Sequence, residues 1–350
     1  MIASAQDAMK STQSSNSAIA LWLIVVAALV FAMVVVGGVT RLTRSGLSIT
    51  EWNPVAGAIP PLTTDQWQME FDKYRQTPEY KHVNASMSLD GFKRIFWVEW
   101  AHRLLGRLIG FVFIVPLIYF AVRRQLSKPL VLKLGALFTL GGLQGALGWF
   151  MVQSGLIDIP RVSPYRLTAH LGLAVALYAW LVWIALDLRR PLVRTTEIPA
   201  LRRGAWVVSA LVCLMILAGG FVAGTKAGFV FNTFPLMNGA FVPPGLYAMD
   251  PGWINNFENV ATVQFNHRLL AYVLLVAVAA FWWSGRSAAL GAVRRRTLNW
   301  LLVALCAQIG LGIAALVLIV PVWLGALHQA GALVVFTVAL RLNHDLARHS

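Results

Sequence analysis

Glu99-Trp100-Ala101-His102-Arg103-Leu104-Leu105 and Gln264-Phe265-Asn266-His267-Arg268-Leu269-Leu270 are two versions of one helix start. In each, His-Arg-Leu-Leu opens an apolar run, over 98–121 and 266–284, long enough to cross the roughly 20-residue hydrocarbon core of a bilayer. Six further runs qualify: 19–39, 130–152, 167–187, 204–224, 298–320 and 323–341. The repeat continues outward from its centre. Gly37-Gly38 closes the first run as Gly219-Gly220 closes the fifth. Leu143-Gln144-Gly145-Ala146-Leu147-Gly148 in the third is echoed by Ala307-Gln308-Ile309-Gly310-Leu311-Gly312 in the seventh. Thr168-Ala169-His170 in the fourth is echoed more loosely by Ala326-Leu327-His328 in the eighth. All four runs match in order, so the pattern predicts an internal duplication.

The expected fold is therefore all-α: a polytopic membrane protein of eight transmembrane helices. They form two tandem four-helix bundles related by a pseudo-two-fold axis along the membrane normal. The predicted organisation is a tail at 1–18, a first unit at 19–190, a linker at 191–203, a second unit at 204–341 and a tail at 342–350. Composition agrees. Of 350 residues, 58% are hydrophobic and 12% charged, about half the charge of a soluble domain. Two cysteines exclude a disulfide scaffold. The first run continues to Gly37-Gly38 without a small-residue cleavage site and reads as a retained span.

The net charge of +15 in a soluble chain would suggest nucleic acid. Its distribution says otherwise. Arg123, Arg124 and Lys128, then Arg189, Arg190, Arg194, Arg202 and Arg203, then Arg286, Arg294, Arg295 and Arg296 crowd alternate connections. The positive-inside rule then places both termini in the cytoplasm and predicts no nucleic-acid partner, the partner being the bilayer. Outside, 65–76 has a helix-start pattern with Asp65 as candidate N-cap and Trp67, Met69, Phe71 and Tyr74 available for an interface. The stretch 225–265 reads as a compact lid. The Gly-x-x-x-Gly spacings 106/110, 141/145 and 220/224 fit close helix packing.

His102, His170, His267 and His328 each fall near the outer start of an even-numbered span, at one depth. Ionisable groups inside spans mark function by default. His82, His344 and His349 read as solvated. Two histidines on facing helices can supply both axial nitrogens of a haem iron. Zinc would call for three or four ligands and a motif this sequence lacks, and copper for Cys or Met beside the His. The predicted pairs are His102 with His170 and His267 with His328. Arg103, Arg166 and Arg268 are placed either to meet haem propionates or to anchor the interface. The units differ at one position, Glu99 against Gln264. A carboxylate can accept a proton or stabilise a cationic intermediate and an amide cannot; the alternative is a structural pair of Glu99 with Arg103.

At these residues the sequence resembles the haem A synthase family of alphaproteobacterial and mitochondrial type. The similarity rests on residues 37–48, on Glu51-Trp52-Asn53-Pro54, on the two His-Arg motifs, on Thr168-Ala169-His170 and on Leu327-His328-Gln329. The resemblance implies oxidation of the C8 methyl of haem O to a formyl group, giving haem A for terminal oxidases. It implies a cell inner membrane location and a haem b held by His267 and His328. It also implies that Glu99, His102 and His170 line the haem O site. A haem O synthase is the obvious donor, with an external electron acceptor. Some family members carry loop cysteine pairs; here Cys213 and Cys306 fall inside spans. A non-catalytic bis-His cytochrome b, passing electrons between quinol and a partner, shares the histidines but leaves Glu99 unexplained. A transporter of parallel repeats would favour broken mid-membrane helices.

Overall fold

The computed structural model describes residues 2–53, 56–157, 159–189, 199–288 and 290–347, with side chains from residue 15. Pro54, His349 and most of the linker 191–203 lie outside the described residues. Among the described residues there are eleven α-helices: α1 Ile2–Leu42, α2 Thr64–Arg75, α3 Pro78–His82, α4 Leu89–Val122, α5 Lys128–Leu156, α6 Pro164–Arg189, α7 Pro199–Thr225, α8 Asn255–Glu258, α9 Val260–Arg286, α10 Ala292–Val317 and α11 Val322–Ala347. Eight of them, α1, α4, α5, α6, α7, α9, α10 and α11, are long and apolar enough to span a bilayer. They coincide with the eight runs predicted, and the protein is a multi-pass membrane protein.

Contacts arrange these eight in two closed rings. Helix α1 packs on α4, α4 on α5, α5 on α6 and α6 back on α1; α7 packs on α9, α9 on α10, α10 on α11 and α11 on α7. The rings meet through α1, α6, α7 and α11, the four most buried spans. Their shared core includes Leu23, Val26, Leu181, Val208, Val278, Leu301 and Leu333. Apolar burial does not drive association inside lipid, so close packing and a few polar contacts must hold the rings together. Tyr178 of α6 exchanges a hydrogen bond with Thr337 of α11 at 2.7 Å. Gln329 of α11 donates to the Val34 carbonyl of α1 at 2.9 Å.

Local sequence sets the helix ends. Ser88 and Asn259 cap α4 and α9 by accepting from Gly91 N and Thr262 N. Helix α2 begins two residues before the position expected. Its N-cap is Thr63, in a reciprocal capping box with Gln66; Asp65 instead lies within the first turn. Trp67, Phe71 and Tyr74 of α2 pack on Phe92 and Phe96 of α4 as a small aromatic core, while Met69 is exposed. At the C-terminal ends of α1 and α7 the chain turns through Arg44 (φ 53°) and Lys226 (φ 59°). These left-handed residues occupy matching places in the two halves.

The predicted tails are helical where they are described, and the reading of His344 needs correction. Within 1–18, the residues from Ile2 onward are the first part of α1. The predicted tail at 342–350 is, as far as Ala347, the last turns of α11, and Leu342, Asn343, His344 and Leu346 are buried. His344 is not solvated. It lies edge-on to Trp183 and meets Asp187 of α6 at 2.9 Å. Asn343 donates to the Ala205 carbonyl and to Ser209 Oγ of α7. The polar residues that resemble a tail are thus buried against the two neighbouring helices. The glycine spacings also divide. Gly220 and Gly224 face Thr168 and Pro164 of α6, whereas nothing stands near Gly110, Gly141 or Gly145, so only the 220/224 pair packs helices closely.

Candidate functional site

Each ring directs residues from all four of its helices toward one site. In the first, α4 supplies His102, α6 His170, α1 Gly37, and α5 Gln144 and Gly148. In the second, α9 supplies His267, α11 His328, α7 Gly219, and α10 Gln308 and Gly312. His102 and His170 lie within electrostatic reach of each other, as do His267 and His328. All four rings are partly exposed.

The glycines explain how imidazoles fit between helices. A Cβ on Gly148 would stand 2.9 Å from Cε1 of His170, and one on Gly312 2.8 Å from Cε1 of His328. On Gly37 it would lie 3.2 Å from Nε2 of His102, and on Gly219 3.5 Å from Cε1 of His267. The double glycines split their duties. The first of each pair admits its own ring's histidine; the second, Gly38 or Gly220, admits Gln329 or Thr168 from the opposite ring. Gln144 donates to the His170 carbonyl (3.0 Å) and Gln308 to that of His328 (2.8 Å). Gln308 Nε2 also stands 3.1 Å from Nδ1 of His328. Corresponding residues therefore make corresponding contacts in both halves.

Nδ1 of His170 and of His267 are buried without a hydrogen-bond partner among the described residues. An orphaned buried polar atom costs about 1–3 kcal/mol, an arrangement more consistent with ligand chemistry than with packing. Among the described residues, no three His, Cys, Asp or Glu side chains converge as a set for a bare metal ion. Paired histidines between helices, flanked by glycines, suit a flat macrocycle with two axial positions.

Glu99, one turn before His102, is 2% exposed. Its Oε2 accepts from Ser48 N (2.8 Å), Ser48 Oγ (2.7 Å) and Ile49 N (2.8 Å). Its Oε1 accepts from Arg103 Nε (3.1 Å) and Nη2 (2.7 Å). Arg103 then donates to the Ile49 and Glu51 carbonyls, and Arg107 to that of Asn53, so the segment after α1 is laced to α4. In the second half Arg268 donates to Gln264 Oε1, Phe231 O and Pro235 O. Gln264 Nε2, however, donates to the Ala227 carbonyl at 2.7 Å. The turn after α1 presents N–H groups where the turn after α7 presents C=O, and a carboxylate matches the one as an amide matches the other. The pair of Glu99 with Arg103 is thus present.

The three arginines are engaged, wholly or in part, by the protein's own groups. Arg103 is bound as described, and Arg166 donates to the Phe150 carbonyl with its guanidinium 3.7 Å above the Phe150 ring. Arg268 keeps only its buried Nε without a partner. His82 is exposed. Cys213 and Cys306 are free thiols. Residues missed in the sequence are Ser48 and Ile49, whose N–H groups cradle Glu99, and the histidine-facing glycines, whose only signal was their place in the repeat.

Residues 20–340 match the model of the COX15-CtaA family, described as cytochrome oxidase assembly protein. The chain is 54% identical to a haem A synthase of Nitrosospira multiformis over 333 residues, 94% of each chain. It is 54% identical to that of Parvibaculum lavamentivorans over 342 residues, 98% of each. To the haem A synthase COX15 of Arabidopsis thaliana it is 44% identical over 344 residues, covering 95% of this chain and 75% of the other. Eight apolar helices, paired histidines and similarity along nearly the whole length agree: the chain belongs to the COX15-CtaA family of cytochrome oxidase assembly proteins.

Proposed function

We propose that the protein is a haem A synthase, a membrane oxidoreductase that oxidises the C8 methyl of haem O to a formyl group for terminal oxidases. The observation that carries this reading is the paired histidine sites that differ by one carboxylate, Glu99, in a chain so similar to haem A synthases. In each of two steps a C–H bond of the methyl is replaced by a C–O bond to the oxygen of a water molecule, with two electrons passing to the external acceptor and two protons released. The alcohol and then the hydrated aldehyde form, and loss of water leaves the aldehyde. The residues present fit a haem in each unit: buried unpartnered imidazole nitrogens, and glycines where side chains would block the rings.

The first unit, residues 19–190, is the substrate unit, with His102 and His170 as iron ligands to haem O. The second, 204–341, holds a haem b through His267 and His328, with the remaining Nε–H of Arg268 at its rim. When bound, that haem supplies one-electron transfer to an external acceptor. Glu99 is fixed by five donor contacts, more than the roughly four lone-pair sites of a carboxylate. This supports a standing negative charge that stabilises the cation developing at the methyl carbon, in preference to a proton acceptor. The two units are related by an axis along the membrane normal. Both termini are cytoplasmic, the membrane is the cell inner membrane, and haem O is delivered by a haem O synthase.

Extraction of non-covalent pigment from purified protein tests the assignment: haem b with some haem O or A is expected, and b alone would favour the cytochrome. His267→Ala or His328→Ala should remove the b-type spectrum; a full bis-His signal in both variants would overturn the cofactor site. Normal conversion of haem O by Glu99→Gln would overturn the role of Glu99.

A further inference from the structure

Arg41 lies in the last turn of α1, partly exposed, with no hydrogen-bond or ion-pair partner among the described residues. A guanidinium in an apolar span is costly unless paired. Its neighbours on the helix show where it points. Gly37, four residues earlier and so on nearly the same face, abuts the ring of His102. At a rise of 1.5 Å per residue, Arg41 stands about 6 Å further out along α1, above that ring. About 80° to one side of Arg41 on the helix, Phe31 packs on Tyr178 of α6, and about 100° to the other side Trp22 reaches the α4 backbone. Arg41 thus projects between α4 and α6, over the outer rim of the first histidine pair.

Lys226, at the matching end of α7, lies within electrostatic reach of Arg41, and also of Arg44, Arg161 and Glu79. Burial and these guanidiniums, Arg44 foremost, hold the Lys226 ammonium below its ordinary range. The arginines nearest the histidines in sequence are consumed by loop carbonyls, Arg103 wholly engaged with Glu99, Ile49 and Glu51. The second half has Ala223 at the position of Arg41, so the cation belongs to one unit alone, as Glu99 does.

We propose that Arg41 is the anion-binding residue of the first unit, holding a propionate carboxylate of the porphyrin ligated by His102 and His170. This rests on the first unit being the haem O site. A charge-assisted pair of this kind is worth roughly tenfold to a hundredfold in affinity.

The test titrates purified full-length protein with haemin and with haemin dimethyl ester, whose carboxylates are masked. Binding is read as the Soret change that His102→Ala abolishes. Wild type should prefer haemin by about tenfold or more. Arg41→Ala should lose that preference, and Arg41→Lys should keep part of it. Retention of the spectrum that depends on His267 and His328 reports that each variant is folded, and the ester comparison in wild type needs no variant. A wild type indifferent to esterification, or an Arg41→Ala that binds both ligands as wild type does, overturns the proposal; a cation serving only the helix dipole gives that result. Absence of any His102-dependent uptake in wild type instead removes the first-unit reading on which the proposal stands.

Discussion

Replacing Glu99 with glutamine removes one acceptor oxygen from a site that uses two. With the amide oxygen kept toward Arg103, the new NH2 faces the backbone N–H groups of Ser48 and Ile49, both 2.8 Å from Oε2 in the parent. The Ser48 hydroxyl can rotate to accept from it, but the two backbone donors cannot. With the amide turned round, its NH2 faces the guanidinium of Arg103. Two buried orphaned donors at roughly 1–3 kcal/mol each give a cost of about 2–6 kcal/mol. That cost falls on the turn at 45–49 and releases it before the bundle melts. Arg44, exposed and at the edge of this turn, is a natural tryptic site. When opening is fast relative to cleavage, proteolysis follows the open population. In detergent, cleavage after Arg44 should therefore rise at least tenfold in Glu99→Gln, with a lower melting temperature. Wild-type cleavage kinetics and an unshifted melt together would refute the reasoning, because the three donors to Oε2 would then not be holding the turn.

Gly312→Ala places a methyl 2.8 Å from Cε1 of His328, and Gly148→Ala one 2.9 Å from Cε1 of His170. Absorption spectra should show the first weakening the b-type signal and the second the substrate-haem signal, whereas Gly141→Ala, which meets nothing within 4 Å, should leave both intact. Burial pushes the carboxyl of Glu79 above its ordinary 4.5, against the pull of Lys226 and Arg44. The folded protein then keeps a proton that the unfolded chain has lost, so this group's contribution to stability falls as pH rises from 4.5 through the raised value. Glu79→Gln should flatten the melting profile across that window and raise the melting temperature above it; a profile parallel to wild type would contradict this. With Cys213 and Cys306 both free and on different spans, dithiothreitol or the double Cys→Ser substitution should leave haem O turnover unchanged.

The spans were legible because a bilayer imposes one demand, length without charge, that composition alone reports. Burial between helices reports itself less openly. Asn343, His344 and Asp345 look like the beginning of a solvated tail, and only the approach of α6 and α7 makes them interior. The histidine pairs could be inferred from the repeat, since the same depth recurs in each half. The difference between Glu99 and Gln264 was also visible as a difference. Its structural side was not, because it depends on whether the turn after the preceding helix points N–H or C=O inward, which follows from backbone dihedrals at and around Arg44 and Lys226. The partners of Arg103 and Arg166 were hidden for the same reason: they include backbone carbonyls, which carry no signature in residue type. Asp65 lost the cap to Thr63 because a hydroxyl three residues before a glutamine closes the box from both sides.

The docking of α11 on α1 has a consequence for how the protein is made. Gln329 bonds to the carbonyl of Val34 across 295 positions, Gly325 lies against Leu42, and Gln329 fits beside residue 38 because that residue is glycine. Helix α1 therefore waits for α11, made about 280 residues later, before this face is covered. Contacts of such sequence separation form late, and domains assembled during synthesis expose unfinished surfaces in the meantime. A chain truncated before α11 would lose more than a ligand of the second site. It would leave an open seam in the first, so nascent chains that stall there become natural targets for membrane proteolysis.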